Sequence, residues 1–219
     1  MITRFLILLN VIAFLWEIRV AGPGMLGAFG GGDINAVLQA GALYPNSVLI
    51  NHEYWRIFTS AFLHGGLVHI AVNMFSLWVL GQFIEAIAGS ARMLVIYVAS
   101  LIVSGFGVIY FSAPDVPTLG ASGAIFGLFG ALFAIGFKLG KPGMQLVRDN
   151  IGILVLNLFM TFTISAISKS AHIAGLIAGF VVTYLIYFPP RRVQPVVTDA
   201  STGHEYETEY QEPPPQLHQ

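Results

Sequence analysis

Six apolar stretches follow one another along the first 188 residues of the chain. Their approximate bounds are residues 2–20, 58–84, 93–112, 119–137, 151–167 and 171–188. A spanning helix needs about 20 mostly apolar residues, because the hydrocarbon core is about 30 Å thick and each helical residue rises about 1.5 Å. The pattern therefore predicts an all-α membrane protein, built as a bundle of six transmembrane helices.

The first stretch has the apolar character of a signal peptide, but its details differ. Its apolar run contains the polar residue Asn10 and is followed by Trp16 and Glu17. It also has no clear small-x-small cleavage site. We therefore expect it to remain as the first helix of the bundle.

The connection after this first helix is about 35 residues long, whereas the other connections are short. A connection of this length usually has structure of its own. Asp33 can cap a short helix that runs through Gln39 and stops at Gly41, and Tyr44 and Pro45 then turn the chain. The sequence predicts a long structured outer loop between helices 1 and 2.

The chain changes character at residue 189. Residues 189–219 contain six prolines and five acidic residues, with few aliphatic side chains. Such a composition is typical of disorder. We therefore divide the chain into a membrane domain, residues 1–188, and a Pro-rich, acidic, disordered tail, residues 189–219.

Composition excludes several classes of protein. Hydrophobic residues make up 56% of the chain and charged residues 10%, whereas soluble domains have about 25% charged residues. The chain has no cysteine, which excludes disulfides, thiolate metal sites and cysteine nucleophiles. It also has no basic block for nucleic acid and no HExxH zinc motif. We expect no cofactor, no metal ion and no nucleic-acid partner.

Basic residues indicate the orientation. An even number of spans places both termini on one side of the membrane, and basic residues concentrate in cytoplasmic segments. Cytoplasmic termini give seven basic residues inside and three outside; the three are Arg19, Arg56 and Lys169. We therefore expect both termini in the cytoplasm, with the protein in a prokaryotic inner (plasma) membrane.

A few polar side chains interrupt the apolar stretches. Inserting a charged side chain at the centre of the bilayer costs about 2.5–3.5 kcal/mol, so each of these positions needs an explanation. His69 and Asn73 are four residues apart in the second stretch and share one helix face, whereas His64 points elsewhere. His172 begins the sixth stretch. Each of these could simply hydrogen-bond a neighbouring helix.

The fourth stretch begins with a glycine-framed serine. Pro114 and Pro117 forbid regular helix just before it, so a helix should begin between Gly120 and Ser122. The Ser122 hydroxyl would then lie beside the free N–H groups of a helix N-terminus, which suit an oxyanion. Alternatively, the glycines around Ser122 only provide a small-residue packing face.

The sixth stretch has the matching pattern. Ala171, Gly175 and Gly179 repeat every four residues, as Gly123 and Gly127 do in the fourth stretch. Helices can approach closely along such stripes. Both helices start on the outer side, so they would run parallel and bring residues 122 and 172 to the same depth, within hydrogen-bonding distance.

Together these residues could form a catalytic dyad. An imidazole at His172 can take the proton of the Ser122 hydroxyl and later return it to a leaving amine. His69, Asn73 and the Ser122 backbone N–H are suitable oxyanion donors. The sixth stretch has no Asp or Glu to complete a triad. We therefore expect packing to orient the imidazole, with Phe126 against the ring.

Several motifs occur in an order and spacing that resemble the rhomboid family of intramembrane serine proteases. They are Trp55-Arg56, His-Gly-Gly-Leu-Val-His at 64–69 with Asn73, Gly81 with Glu85, Gly-Ala-Ser-Gly at 120–123, and Ala-His-Ile-Ala-Gly from 171. The resemblance implies a six-helix rhomboid-like bundle with Ser122 as nucleophile, His172 as base, and His69 and Asn73 as oxyanion donors.

The resemblance also implies further roles. The long outer loop with Trp55 and Arg56 would be a semi-embedded support, and we assign structural roles to these two residues, His64 and Glu85. Substrates would be single-span or multi-span membrane proteins, cut near the outer surface. An inactive rhomboid-like binder of membrane helices is the alternative. A transporter would need broken helices in two related halves, which the sequence does not show. The oligomeric state stays open.

Overall fold

In a computed structural model of the chain, the described residues are 1–28, 30, 32–163, 167–189, 196–198 and 205–207. The chain divides into two compact units, Met1–Tyr187 and Phe188–Gln219. The helices of the first unit are α1 (Ile2–Ala21), α2 (Ile34–Ala40), α3 (Pro45–Leu49), α4 (Arg56–Thr59), α5 (Leu67–Ser76), α6 (Gln82–Ala88), α7 (Ser90–Phe111), α8 (Ser122–Leu139), α9 (Lys141–Thr163) and α10 (Lys169–Ile186). Short 3₁₀ turns lie at Pro23–Leu26 and Ser60–Phe62, and a π-helical turn at Leu77–Gly81 joins α5 to α6.

Among the described residues, five helical stretches are long and apolar enough to cross a membrane. They are Leu67–Ala88, Ser90–Phe111, Ser122–Leu139, Lys141–Thr163 and Lys169–Ile186. The predicted class, an all-α multi-pass membrane protein, is therefore confirmed. Helix α1 has 20 residues but carries Arg4, Glu17 and Arg19, and it is not among the five. A sixth crossing by α1 stays a prediction.

The second spanning helix begins nine residues later than predicted, at Leu67 rather than residue 58. The intervening residues are the end of α4, a 3₁₀ turn and a short segment outside regular helix, residues 63–66. Gly66 adopts φ +147°, which lies outside the helical region and separates the segment from α5. His64 therefore lies before the helix, and its placement on the second span was wrong.

The fifth spanning helix begins earlier than predicted, at Lys141 rather than residue 151. Half of its first ten residues are polar or charged, so hydropathy did not reveal them as part of a spanning helix. Pro142 lies in the first turn, where the missing N–H costs no intrahelical hydrogen bond. The predicted end at residue 167 depends on residues 164–166, which lie outside the described residues.

The loop between α1 and α5 has the predicted short helix. The Asp33 side chain accepts a hydrogen bond from the backbone N–H of Asn35 at 2.9 Å, and α2 stops at Gly41 with φ +121°. A carboxylate at an N-cap satisfies an N–H group that has no partner within the helix. The expected capped helix and its glycine stop are confirmed.

Arg56 fastens this loop from within. Its Nη1 donates to the backbone carbonyls of Leu38 and Ala42, and its guanidinium lies 4.6 Å from the ring centre of Trp55. Arg56 is only 7% exposed, and its Nε pairs with Glu53. Arg56 thus holds the end of α2 against α4, while Trp55 covers the guanidinium.

Glu85 joins the starts of two helices. Its carboxylate accepts hydrogen bonds from the backbone N–H groups of Ile2 (2.7 Å) and Thr3 (3.0 Å) and from the hydroxyls of Thr3 (2.7 Å) and Ser90 (2.6 Å). The first N–H groups of a helix have no intrahelical acceptor and favour a negative charge. Glu85 therefore caps α1 and ties it to the start of α7.

Helix α8 lies at the centre of the first unit, with 13 of its 18 residues buried. It packs along α10, where glycines face each other. A Cβ at Gly175 would collide with the carbonyl oxygen of Gly123, and one at Gly179 with that of Gly127. The two contacts advance in the same direction along both helices, so α8 and α10 run parallel, with the glycine stripes facing as their spacing predicted.

The second unit contains a pair of short antiparallel strands, β1 (Val196–Thr198) and β2 (Glu205–Glu207), with Val197 opposite Tyr206. The predicted disorder of residues 189–219 falls mainly on positions outside the described residues.

Candidate active site

The side chains of Ser122 and His172 meet where α8 and α10 begin. Ser122 is the first residue of α8 and His172 the fourth of α10. The Oγ atom of Ser122 lies 2.7 Å from Nε2 of His172, although the residues are 50 positions apart in sequence. His172 is only 5% exposed. The pair has the geometry in which an imidazole can take the proton of an attacking hydroxyl.

Phe126 fixes the plane of the imidazole. Its ring stacks on His172 with a centroid separation of 4.0 Å and an interplanar angle of 14°. Phe126 itself is 2% exposed and packs edge-on against Phe129. Because Phe126 lies one helical turn after Ser122, α8 supplies both the hydroxyl and the surface against which the partner ring rests.

The other imidazole nitrogen also has a partner, which sequence reasoning missed. Nδ1 of His172 lies 2.8 Å from Oγ1 of Thr161 on α9. Asn157 and Thr161 are polar residues four apart on one face of an apolar helix, but this spacing does not say which helix that face contacts. The orientation of His172 therefore depends on a hydrogen bond as well as on the expected packing.

His69 and Asn73 converge on the backbone just before Ser122. A Cβ built on Gly120 would lie 2.7 Å from Nε2 of His69 and 3.6 Å from Nδ2 of Asn73. Gly120 has φ +120°, a conformation that L side chains rarely adopt. Glycine is therefore required at position 120, both for its backbone angle and for the approach of the two side chains.

The contacts of His69 determine its tautomer. The backbone N–H of Gly65 donates to Nδ1 of His69 at 3.2 Å. A nitrogen that accepts a hydrogen bond carries no proton, so the ring proton of a neutral His69 is on Nε2. His69 therefore presents an N–H donor towards Gly120.

The side-chain amide of Asn73 has an N–H donor group without an acceptor among the described residues. Its Nδ2 is buried and has no hydrogen-bond partner among the described residues. Leaving a buried amide donor unpaired costs about 1–3 kcal/mol, so such groups are rare in folded proteins. Together with the first N–H groups of α8, which have no acceptor within the helix, His69 and Asn73 form a set of donors for a negatively charged oxygen.

His64 lies beside this set, outside helix α5. Its ring packs edge-on against His69 at a centroid separation of 5.1 Å. Its backbone N–H donates to the Glu17 carboxylate of α1 at 2.8 Å, and Nδ1 contacts the Phe62 carbonyl. His64 thus joins the segment before α5 to α1, and its ring contacts His69.

A small cavity opens next to the Ser122 hydroxyl. Its walls come from the outer loop, from α7 and from residues 118–120, and its polar lining includes Ser60, Ser104 and Thr118. The N–H of Gly120 donates to the Ser60 carbonyl at 2.8 Å, which fixes one wall. The cavity could admit water or a small side chain to the dyad.

Comparison with known proteins places these residues in a family. The family model of the Rhomboid domain matches residues 51–188. The chain is 39% identical over 152 residues to rhomboid protease GluP of Bacillus subtilis, an alignment that covers 69% of this chain and 30% of GluP.

Two further relatives show the same similarity. The putative rhomboid protease YdcA of Bacillus subtilis is 36% identical over 141 residues, covering 64% of this chain and 71% of YdcA. Rhomboid protease GlpG of Klebsiella pneumoniae is 34% identical over 146 residues, covering 65% of this chain and 52% of GlpG. The aligned part of the chain therefore spans less than two thirds of GluP and of GlpG.

Proposed function

This chain belongs to the rhomboid family, and we therefore propose that it is an intramembrane serine endopeptidase that hydrolyses membrane-anchored helices near the outer surface of the bilayer. The observation that carries the proposal is the 2.7 Å contact between the Ser122 hydroxyl and His172. Two donor groups, from His69 and Asn73, approach Gly120, two residues before Ser122, and Ser122 itself begins α8, where the first N–H groups have no acceptor within the helix. The buried Asn73 amide nitrogen, which has no partner among the described residues, is available to donate to the oxygen of a substrate.

The reaction would proceed in two halves. The Ser122 oxygen attacks the scissile carbonyl carbon while its proton passes to Nε2 of His172. The carbonyl oxygen becomes negatively charged and accepts hydrogen bonds from His69 Nε2–H, the Asn73 amide and the Ser122 N–H. The tetrahedral intermediate then collapses, and the imidazolium of His172 donates its proton to the leaving amine.

Water completes the cycle. His172, neutral again, removes a proton from a water molecule that attacks the acyl-enzyme carbonyl, and then returns that proton to Ser122. This step requires water below the membrane surface. Polar backbone outside regular helix is tolerated there only where it lines protein or a wet cavity. Residues 118–120 line the cavity beside Ser122, which we propose as the place of the attacking water.

The fold also limits the substrate. A peptide bond within an intact helix is hydrogen-bonded and shielded, so a substrate helix has to unwind before its carbonyl reaches Ser122. Glycine or other helix-weakening residues near the cut are therefore favoured. A small residue just before the cut fits the narrow cavity beside the serine.

We propose that the termini face the cytoplasm, in a prokaryotic inner membrane, with α1 as a sixth span. Both Ser122 and His172 lie in the first turn of their helices, so this orientation puts the dyad near the outer surface. Residues 1–188 would form the protease domain and 189–219 a cytoplasmic tail.

A cleavage assay tests the proposal. The purified protein is reconstituted into liposomes with a panel of tagged single-span helices, in parallel with Ser122→Ala, His172→Ala and the control Ser47→Ala. Ser47 is a buried serine of the outer loop that bonds only locally, to the Tyr44 carbonyl. We expect cleavage by the parent and by Ser47→Ala, and none by the two dyad variants.

The outcomes separate the two candidate functions. Cleavage at parental rate by either dyad variant would refute the Ser–His mechanism. Binding of the helices by the parent without any cleavage would instead support the alternative, an inactive escort of membrane helices. Thermal unfolding of each variant shows whether lost activity reflects lost structure.

A further inference from the structure

We propose that Thr161 is a positioning residue for the base of the dyad, holding the imidazole proton of His172 on Nδ1 so that Nε2 stays free to accept the Ser122 proton. The inference rests on the proposed function and adds a third member to the pair. It concerns a hydroxyl on a third helix, α9, where serine hydrolases often have a carboxylate.

The proton assignment follows from two distances. Oγ1 of Thr161 lies 2.7 Å from the backbone carbonyl oxygen of Asn157 and 2.8 Å from Nδ1 of His172. A carbonyl oxygen only accepts, and a hydroxyl has one proton to give. The Thr161 proton is therefore directed to Asn157, and the second contact requires His172 Nδ1–H as donor and Thr161 as acceptor.

The proton on Nδ1 of His172 determines the state of the other ring nitrogen, Nε2. A neutral imidazole has one N–H, so a proton on Nδ1 leaves a lone pair on Nε2. Nε2 is the atom 2.7 Å from the Ser122 hydroxyl. The other tautomer would aim an N–H at the serine oxygen and could not remove its proton. Thr161 thus favours the one tautomer that is competent as a base.

Burial makes this preference strong. Thr161 is 2% exposed and His172 is 5% exposed, so water does not readily replace either partner. Within the part of the chain that the structure describes, no Asp or Glu hydrogen-bonds His172. The hydroxyl supplies direction without negative charge, so it sets the tautomer and leaves the imidazolium less stabilised than a carboxylate would.

Asn157 extends the connection to the helix that carries the oxyanion donors. Its Nδ2 donates to the Ser76 hydroxyl at 3.2 Å and to the Ile153 carbonyl at 2.8 Å. Ser76 lies three residues after Asn73 on α5. The register of α9, and hence the position of Thr161, is therefore fixed against the same helix that presents Asn73.

The test compares three variants in nanodiscs. Thr161→Val removes the hydroxyl at nearly constant shape, and Thr161→Ser keeps it. Thr163→Val is the matched control, because Thr163 makes the same hydrogen bond to a carbonyl four residues earlier, that of Phe159, from an exposed position on the same helix. All three are compared with the parent by helix cleavage and by ¹⁵N NMR of the histidine rings, with the His172 signals assigned by their loss in His172→Gln.

We expect Thr161→Val to lower kcat about 10- to 100-fold, part of the factor of about 100 to 10,000 that a general base supplies. KM should change by less than about twofold, because the hydroxyl does not touch the substrate. Thr161→Ser and Thr163→Val should stay within about threefold of the parent. The parent and Thr161→Ser spectra should show His172 protonated on Nδ1, and Thr161→Val should show the Nε2–H tautomer appearing.

Two results would overturn the proposal. One is an unchanged His172 tautomer in Thr161→Val. The other is equal loss of kcat in Thr161→Val and Thr163→Val, which would assign the effect to packing of α9. The NMR measurement needs no substrate, so it decides the role of Thr161 even if the parent cleaves nothing, a result that would refute only the proposed protease function.

Discussion

Gly175 of α10 lies so close to the carbonyl oxygen of Gly123 on α8 that a methyl group at position 175 would overlap it. This approach of two backbones brings Ser122 and His172 to 2.7 Å. The distance between Oγ of Ser122 and Nε2 of His172 is thus set by two residues that have no side chains: Gly123, which directly follows Ser122, and Gly175, about one helical turn after His172.

Replacing Gly175 by alanine should separate the helices and disturb the dyad. Forcing a methyl group into a close-packed contact costs about 1–3 kcal/mol, because backbone has to move. We expect a lower unfolding temperature and a cleavage rate at least about tenfold lower, measured in liposomes.

Gly152→Ala on α9 is the control for this substitution. A Cβ at Gly152 meets nothing within 4 Å. It should leave both the rate and the unfolding temperature close to those of the parent. A Gly175→Ala protein as active as Gly152→Ala would show that the α8–α10 contact tolerates side chains.

Asn73→Ala should abolish most activity without destabilising the protein. Loss of one oxyanion donor typically costs about 100- to 1000-fold in rate. The Nδ2 group of Asn73 has no partner among the described residues, so removing it breaks no hydrogen bond from that atom. Cleavage kinetics and thermal unfolding on the same sample check both parts.

Asn157→Ala is the matched comparison for Asn73. The Asn157 amide donates to Ser76 and to the Ile153 carbonyl, so its loss should lower the unfolding temperature. If Asn73→Ala is the less stable of the two, Asn73 has a structural role that its contacts do not show.

Glu85→Ala should be strongly destabilising. It removes an acceptor of four hydrogen bonds and uncaps α1. Hydrogen bonds to charged groups are each worth about 1.5–3 kcal/mol, so we expect a loss of at least about 3 kcal/mol in unfolding free energy. Ser90→Ala, which removes one of the four, should cost less, about 1.5 kcal/mol. Equal unfolding temperatures for the two variants would contradict the assigned role of Glu85.

Arg56→Lys should loosen the outer loop although the charge is kept. One guanidinium nitrogen bridges the carbonyls of Leu38 and Ala42, while Nε pairs with Glu53, and a single ammonium group cannot reproduce this fork. We expect faster proteolytic cleavage within residues 27–55, measured by limited digestion. Arg92→Lys, whose side chain bonds only the carbonyl of Ala88, serves as control. Equal digestion rates for Arg56→Lys and Arg92→Lys would argue against a role of the Arg56 guanidinium in stabilising the outer loop.

The sequence predicted the meeting of Ser122 and His172 because both follow from local patterns. Pro117 and Gly120, which interrupt regular helix, indicated where α8 begins. The four-residue spacing of glycines indicated which faces of α8 and α10 pack together. His64 was misplaced because hydropathy does not distinguish a spanning helix from apolar residues just before it that are not helical. Only Gly66, with its positive φ, marks the boundary.

The contact between Thr161 and His172 was beyond prediction for a different reason. Threonine is common in membrane helices, and whether its hydroxyl reaches another helix depends on the rotation of that helix. The rotation of α9 is fixed partly by the contact of Asn157 with Ser76, between residues 81 positions apart. Periodicity within one stretch contains no information about such a contact.

Covalent labelling tests the central claim most directly. A fluorophosphonate probe, added to the membrane-reconstituted protein, reacts with a serine only where a base activates it and donors stabilise the new oxyanion. The dyad account predicts labelling of Ser122, located by peptide mass spectrometry, and its loss in His172→Ala while that variant remains folded. Labelling of His172→Ala at the parental rate, or labelling of a different serine, would contradict it.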